Sequence, residues 1–131
     1  MTDIQPLPKL LIAEDDAYAL KMLTMMLEDD FDIDGVEDGK KAVEACLSND
    51  YTALLLDVGL PEMDGFDVIK AIRSETGAVS TLPIIVQTAH VNREEHRDLL
   101  DVGANEVFTK PTESDTLKLS IFKWHAKRGQ A

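Results

Sequence analysis

The stretch LLLDVGLPEMDG, residues 54 to 65, joins features that seldom occur together. Leu54, Leu55 and Leu56 have the character of a strand covered on both faces, yet the run ends on a carboxylate, Asp57, with Pro61 and Gly65 close behind. A charge at the end of a buried strand is solvated, paired or chemically employed.

Working outward, LLIA (10–13), ALLL (53–56) and PIIVQT (83–88) are short continuous apolar runs of the kind found in parallel sheets, and FDIDGV (31–36) and EVFT (106–109) are polar-interrupted strand candidates. Helical spacing fills the gaps: Leu20, Leu23 and Leu27, then Ala42, Val43, Cys46 and Leu47, then Phe66, Ile69 and Ile72. Asp16, Asp38 and Asp64 supply the start signals. A fourth helix, NREEHRDLLDVGA (92–104), is polar in its first half, anchors through Leu99, Leu100 and Val102, and ends at a Gly103 cap. It is expected to be the least firmly held. The fifth, from about Glu113 to Lys127, carries Leu117, Ile121 and Trp124 on one stripe, widened by Leu119 and Phe122. SETGAVSTLP (74–83) reads as a surface loop, and IQPLP and KRGQA as frayed ends.

Strict alternation of strand and helix implies an α/β fold, a right-handed doubly wound five-stranded parallel sheet, (βα)5. The length of 131 residues and 44% hydrophobic content suit one domain with a real core, expected over residues 9–127 between a flexible lead (1–8) and a tail (128–131). Cys46 is the only cysteine, which excludes an intrachain disulfide and a thiolate metal cluster and points to a reducing, cytoplasmic setting. MTDIQPLPK is not a signal peptide, and no run of about 18 apolar residues suggests a membrane span. Thirteen basic residues against 25 acidic give a formal charge of −12, which repels a phosphate backbone and argues against direct nucleic-acid binding.

In such a sheet the working site lies beyond the carboxyl ends of the strands. Those ends carry Glu14, Asp15 and Asp16, then Asp57, Thr88 and Lys110, all on one rim. Clustered carboxylates repel one another, and a hard divalent cation relieves this; magnesium suits because it takes one or two protein carboxylates and leaves positions for phosphate oxygens. Asp15 and Asp57 are placed to ligate directly and Glu14 through water. Lys110 offers a point charge for a phosphate and Thr88 a hydroxyl donor. Together they form a kit for making and holding an aspartyl phosphate, with Asp57 as the nucleophile. Singly, each has a plainer role: Asp15 and Asp16 as helix caps, Thr88 as a strand-end hydroxyl bonded to backbone, Lys110 as a solvated lysine.

With LLIAEDD, LLLDVGLPEMDG, VQTAH and FTKP in place, the chain from about Lys9 to Lys127 resembles the receiver domain of two-component response regulators. The resemblance implies the flavodoxin-like strand order 2-1-3-4-5. It also implies that Asp57 accepts a phosphoryl group from a sensor histidine kinase or a histidine phosphotransfer protein, and that a downstream protein partner or output domain reads the result. Magnesium would be bound by Asp15, Asp57 and the backbone carbonyl of Gly59, with Glu14 in the outer shell, and Lys110 and Thr88 would contact the phosphoryl group. The domain would be a signalling switch, catalysing only its own phosphorylation and dephosphorylation.

Two positions depart from the family pattern or bear on its kinetics. Receivers commonly carry Tyr or Phe three residues before the lysine; here Val107 stands there, and Phe108, facing the opposite side of the strand, reads as a core aromatic. His90, two residues beyond Thr88, either orients water or a partner near Asp57 or is a solvated loop histidine. Three other functions compete: a degenerate receiver that docks without phosphorylation, a haloacid-dehalogenase-type phosphatase, and a flavodoxin-like cofactor binder. The intact Glu14, Asp15, Asp57, Thr88 and Lys110 set opposes the first. Gly59, where the second family places an aspartate acid, opposes the phosphatase, and acidic EDDAYA where a phosphate cradle belongs opposes the cofactor binder.

Overall fold

The computed structural model describes residues 6–129. In chain order it contains β1 (Lys9–Ala13), α1 (Ala17–Leu27), β2 (Asp32–Val36), α2 (Gly39–Ser48), β3 (Ala53–Asp57), α3 (Gly65–Arg73), a 3-10 turn (Ala78–Thr81), β4 (Ile84–Thr88), α4 (Arg93–Val102), β5 (Glu106–Thr109) and α5 (Ser114–Arg128). The five strands form one parallel sheet in the order β2-β1-β3-β4-β5. The expected doubly wound topology is therefore present, with β3 at its centre.

The leucine run explains how that sheet is held. Side chains alternate along a strand, so Leu54 and Leu56 enter the core beneath α2, α3 and α4, whereas Leu55 enters the core beneath α1 and α5. Leu11 and Ala13 join Leu54 on the first side, and Leu10 and Ile12 join Leu55 on the second. Burying each such side chain contributes about 1.5–3 kcal/mol, and the apolar helical residues match both faces. Ala42, Cys46, Val68, Ile69, Ile72 and Leu99 cover the first, and Leu27, Leu117 and Ile121 the second.

Helix starts follow the sequence signals. Asp16 accepts from the Tyr18 and Ala19 amides, Asp38 from Lys41, and Asp64 from Asp67, satisfying first-turn donors that have no partner within the helix. Helix α4 begins at an Asn92 cap and ends at Gly103, whose φ of 125° lies where glycine is favoured.

Three expectations need correction. Leu100 is 47% exposed, because one residue along a helix turns about 100° away from Leu99; Leu99 alone is fully buried, with Val102 half-buried. Leu119 (72% exposed) and Phe122 (44%) also lie off the stripe of Leu117 and Ile121, although Phe122 stacks on Phe31 with ring centroids 5.2 Å apart. The expected tail begins later than residue 128: Arg128 closes α5 and its guanidinium donates to the carbonyls of Tyr51 and Ala78 and to the Thr81 hydroxyl. Residues 1–5 of the lead and 130–131 of the tail lie outside the described residues.

The loop between α3 and β4 is fastened rather than loose. Arg73 donates to the carbonyls of Gly103 (2.9 Å), Ser80 (3.0 Å) and Leu82 (2.8 Å) and to Asn105 Oδ1 (2.9 Å), which also accepts from the Ile84 amide. One guanidinium thus ties α3, the 3-10 turn, the end of α4 and the start of β5. Burial pulls its pKa down, as does the charge of Arg128, yet arginine keeps its proton. Arg73→Ala is expected to lower stability by about 2–4 kcal/mol, since it leaves several acceptors unpaired; urea unfolding checks this, with the loss appearing in the midpoint at an unchanged slope.

Candidate functional site

The register of the sheet delivers the polar residues to one rim. Ala13 pairs with Val36 and Leu56, Asp57 with Gln87, and Thr88 with Thr109, so Glu14, Asp57, Thr88 and Lys110 all emerge at the carboxyl ends of neighbouring strands. The Lys110 amide donates to the Thr88 carbonyl at 2.7 Å, and the Glu14 amide to the Val36 carbonyl at 3.0 Å, which continues the ladder one step into each loop. These backbone bonds fix where each side chain leaves the sheet.

Ligand oxygens of Glu14, Asp15 and Asp57 lie within 4.8 Å of one another. Lys110 Nζ sits 2.9 Å from Glu14 Oε1 and 3.3 Å from Asp57 Oδ1, bridging the buried carboxylate and the one that ends β3. Glu14 is 3% exposed. Burial raises its pKa above the ordinary glutamate value, and the hydrogen bond from Lys110 offsets only part of that. For Lys110, burial acts downward, but the bond to Glu14 and the charge of Asp57 outweigh it and hold the ammonium above its ordinary pKa. The lysine therefore stays charged.

One ammonium against three carboxylates leaves an excess of negative charge in an all-oxygen cluster. That donor set fits a small divalent cation, which prefers oxygen ligands. Asp16 is not part of the cluster: its side chain caps α1, while its own amide donates to Glu14 Oε2 at 3.2 Å. Gly59 leaves the site open, for a Cβ built there meets no atom within 4 Å.

Thr88 is 2% exposed, and its Oγ1 accepts from the His90 amide at 3.1 Å. The His90 ring pairs with Glu95, with Nδ1 2.9 Å from Oε2, and is mostly exposed. Val107 packs among the side chains beneath α2, α3 and α4, and Phe108 packs in the opposite core as expected.

Two features beside the site were not anticipated. An apolar groove of about 260 Å³ runs along α1 next to Lys110, lined by Tyr18, Ala19, Met22, Leu23, Met26 and Pro111. Alternating exposure on α1 holds a signal for it, since Tyr18 and Met22 lie four residues apart on one face, 73% and 41% exposed. His96, in the polar half of α4, reaches the loop after Thr88; its polarity alone gave no sign of that contact.

A model of the response regulator receiver domain matches residues 10–122. The chain belongs to this family. It is 34% identical over 114 residues to the response regulator ArlR of Staphylococcus saprophyticus, covering 86% of this chain and 50% of ArlR. It is also 34% identical over 120 residues to the sensor protein GacS of Pseudomonas syringae, covering 89% of this chain and 13% of GacS. The chain thus spans half the length of one of these relatives and a small part of the other. Among solved structures, a sensor protein from a Polaromonas species is 30% identical with a TM-score of 0.85, over 95% of this chain and all of that one. The receiver domain of a sensor histidine kinase from Pseudomonas aeruginosa, solved with magnesium coordinated in its active-site cleft, is 26% identical with a TM-score of 0.84, over 92% of this chain and 98% of that one. This receiver domain of two-component signalling places its acidic group where a phosphoacceptor site belongs. No described helix is long and apolar enough to cross a membrane.

The charge excess has a direct consequence for stability. In metal-free buffer Asp15→Asn is expected to raise stability by about 0.5–1 kcal/mol by removing one of three repelling carboxylates; thermal unfolding with a chelator present checks it, and a lower midpoint contradicts the electrostatic account.

Proposed function

We propose that Asp57 is the phosphoacceptor of this receiver, that Glu14, Asp15, Asp57 and the Gly59 carbonyl form its magnesium site, and that Lys110 and Thr88 hold the transferred group. The observation that carries this reading is the Lys110 bridge between Glu14 and Asp57, which presents a fixed ammonium beside an accessible carboxylate oxygen inside an all-oxygen cluster.

The donor is a phosphohistidine on a sensor kinase or a phosphotransfer protein. An Asp57 carboxylate oxygen attacks phosphorus, the new O–P bond forms as the P–N bond breaks, and the donor imidazole leaves with the bonding pair and takes up a proton. Lys110 balances charge on the phosphoryl oxygens, and the Thr88 hydroxyl turns to donate to one of them. Magnesium, when bound, neutralises the carboxylates and the incoming oxygens. Residues 9–128 form the working unit, in the cytoplasm, and its output passes to a protein partner or an attached domain. Acting on itself alone, it is a switch rather than a turnover enzyme.

Incubation with magnesium and a small phosphodonor such as acetyl phosphate is expected to add the mass of one phosphoryl group. Asp57→Ala abolishes the gain, chelation of magnesium prevents it, and Lys110→Ala slows it by about 100-fold or more. Modification that survives the Asp57 change overturns the reading.

The apolar groove on α1 is the docking place for the donor protein, because it adjoins Lys110 and buries little of Tyr18 and Met22 on its own. Met22→Lys is expected to slow transfer from a phosphohistidine protein by about tenfold while changing the rate with acetyl phosphate less than about twofold. Equal losses with both donors would place Met22 in folding instead.

A further inference from the structure

The hydrogen bond that occupies the Thr88 hydroxyl is the first link of a longer chain. The His90 amide donates to Thr88 Oγ1 at 3.1 Å, and the carbonyl of the same residue lies 2.8 Å from His96 Nε2. A carbonyl oxygen only accepts, so Nε2 carries a proton and donates it. Thr109 Oγ1, 3.5 Å from that nitrogen, stands as a second, weaker partner. Thr109 is the register partner of Thr88 and directly precedes Lys110. One imidazole on α4 therefore holds the loop that follows Thr88 and lies beside the strand end that leads to Lys110.

Little else fixes this end of α4. Leu99 is its one fully buried apolar residue, three residues further along. Val107, at the position beneath the helix, supplies packing but no hydrogen bond. Asn92 accepts from the Glu94 and Glu95 amides and so preserves the first turn, while the His90 ring and Glu95 tie loop to helix at the exposed surface. The loop and α4 are consequently one body, closed by the bond from His96 to the His90 carbonyl and joined to the rim through the His90 amide on Thr88 and the longer His96–Thr109 contact.

We propose that His96 is a positioning residue that couples Thr88 to α4. It stabilises the arrangement in which the Thr88 hydroxyl is held by the His90 amide. Rotation of that hydroxyl toward a phosphoryl oxygen deprives the His90 amide of its acceptor, and the loop then shifts its carbonyl away from His96. By linkage, loss of the His96 contact makes the rotation easier by the same factor. An aliphatic residue at 107 is tolerated because the coupling runs through hydrogen bonds on α4. The inference rests on the reading of Asp57 as phosphoacceptor, but its first test does not.

Hydrogen exchange on the unphosphorylated protein reads the contact directly. His96→Ala is expected to speed exchange of amides in residues 89–97 by about fivefold, the population change that one neutral hydrogen bond supports, with amides of β1 and β3 unaffected. His96→Gln, which keeps an N–H donor at similar reach, restores most of the protection. Unchanged exchange in 89–97, equal acceleration in β1 and β3, or failure of His96→Gln to restore protection overturns the proposal. The second measurement is the rate of phosphorylation by acetyl phosphate, expected to rise about two- to fivefold in His96→Ala as the hold on Thr88 is released. A local gain in exchange with no change in that rate also overturns the coupling. If the unaltered protein takes up no phosphoryl group, the Asp57 reading fails while the exchange result still decides whether His96 holds the loop.

Discussion

Lys110 lies between two carboxylates, one buried and one at the end of the central strand, and much of the site is a response to that placement. A parallel sheet brings every strand's carboxyl end to the same side, so the acidic residues of β1 and β3 meet there and cannot retreat into an interior packed with leucine and isoleucine. The lysine is held at the opposite edge of the sheet by its own ladder bond to Thr88. Its ammonium keeps Glu14 tolerable under the surface and leaves Asp15 and Asp57 short of a counter-charge. That deficit makes the rim receptive to a hard cation and to a group rich in oxygen.

The sequence disclosed this rim well because each component is local. Strand runs, aspartate caps and the residues just past each strand are neighbours along the chain, and the parallel topology alone converts those adjacencies into a common edge. Asp16, offered two roles by its position, turned out to cap α1, and Asp15 remained with the clustered carboxylates. Exposure on the last two helices was harder to foresee. Leu100, Leu119 and Phe122 are apolar and near the right spacing, but a rotation of one position is enough to carry a side chain from core to solvent.

What escaped the sequence was long-range bonding by polar side chains. Arg73 looks like an ordinary basic residue in the last turn of α3, yet its partners lie as far away as Gly103 and Asn105. His96 looks like one more charged or polar position on a solvated helix, yet it reaches the loop behind Thr88. Hydrogen bonds of this kind have no periodicity, so neither spacing nor composition announces them. They emerge only when the backbone has brought their acceptors within about 3 Å.

The Arg73 staple has a mechanical consequence. It clamps the carbonyl of Gly103, at the far end of α4, to α3 and to the root of β5. A rigid rod fastened at its tail and latched at its head can only swing, with Gly103 as the pivot. Ten residues at about 1.5 Å each make a lever arm of about 15 Å. A swing of about 10° at the pivot displaces the head by about 2.6 Å, a distance that a partner's side chains readily sense, while the sheet itself stays still. A small change at the rim would thereby be geared up into a larger displacement at the surface.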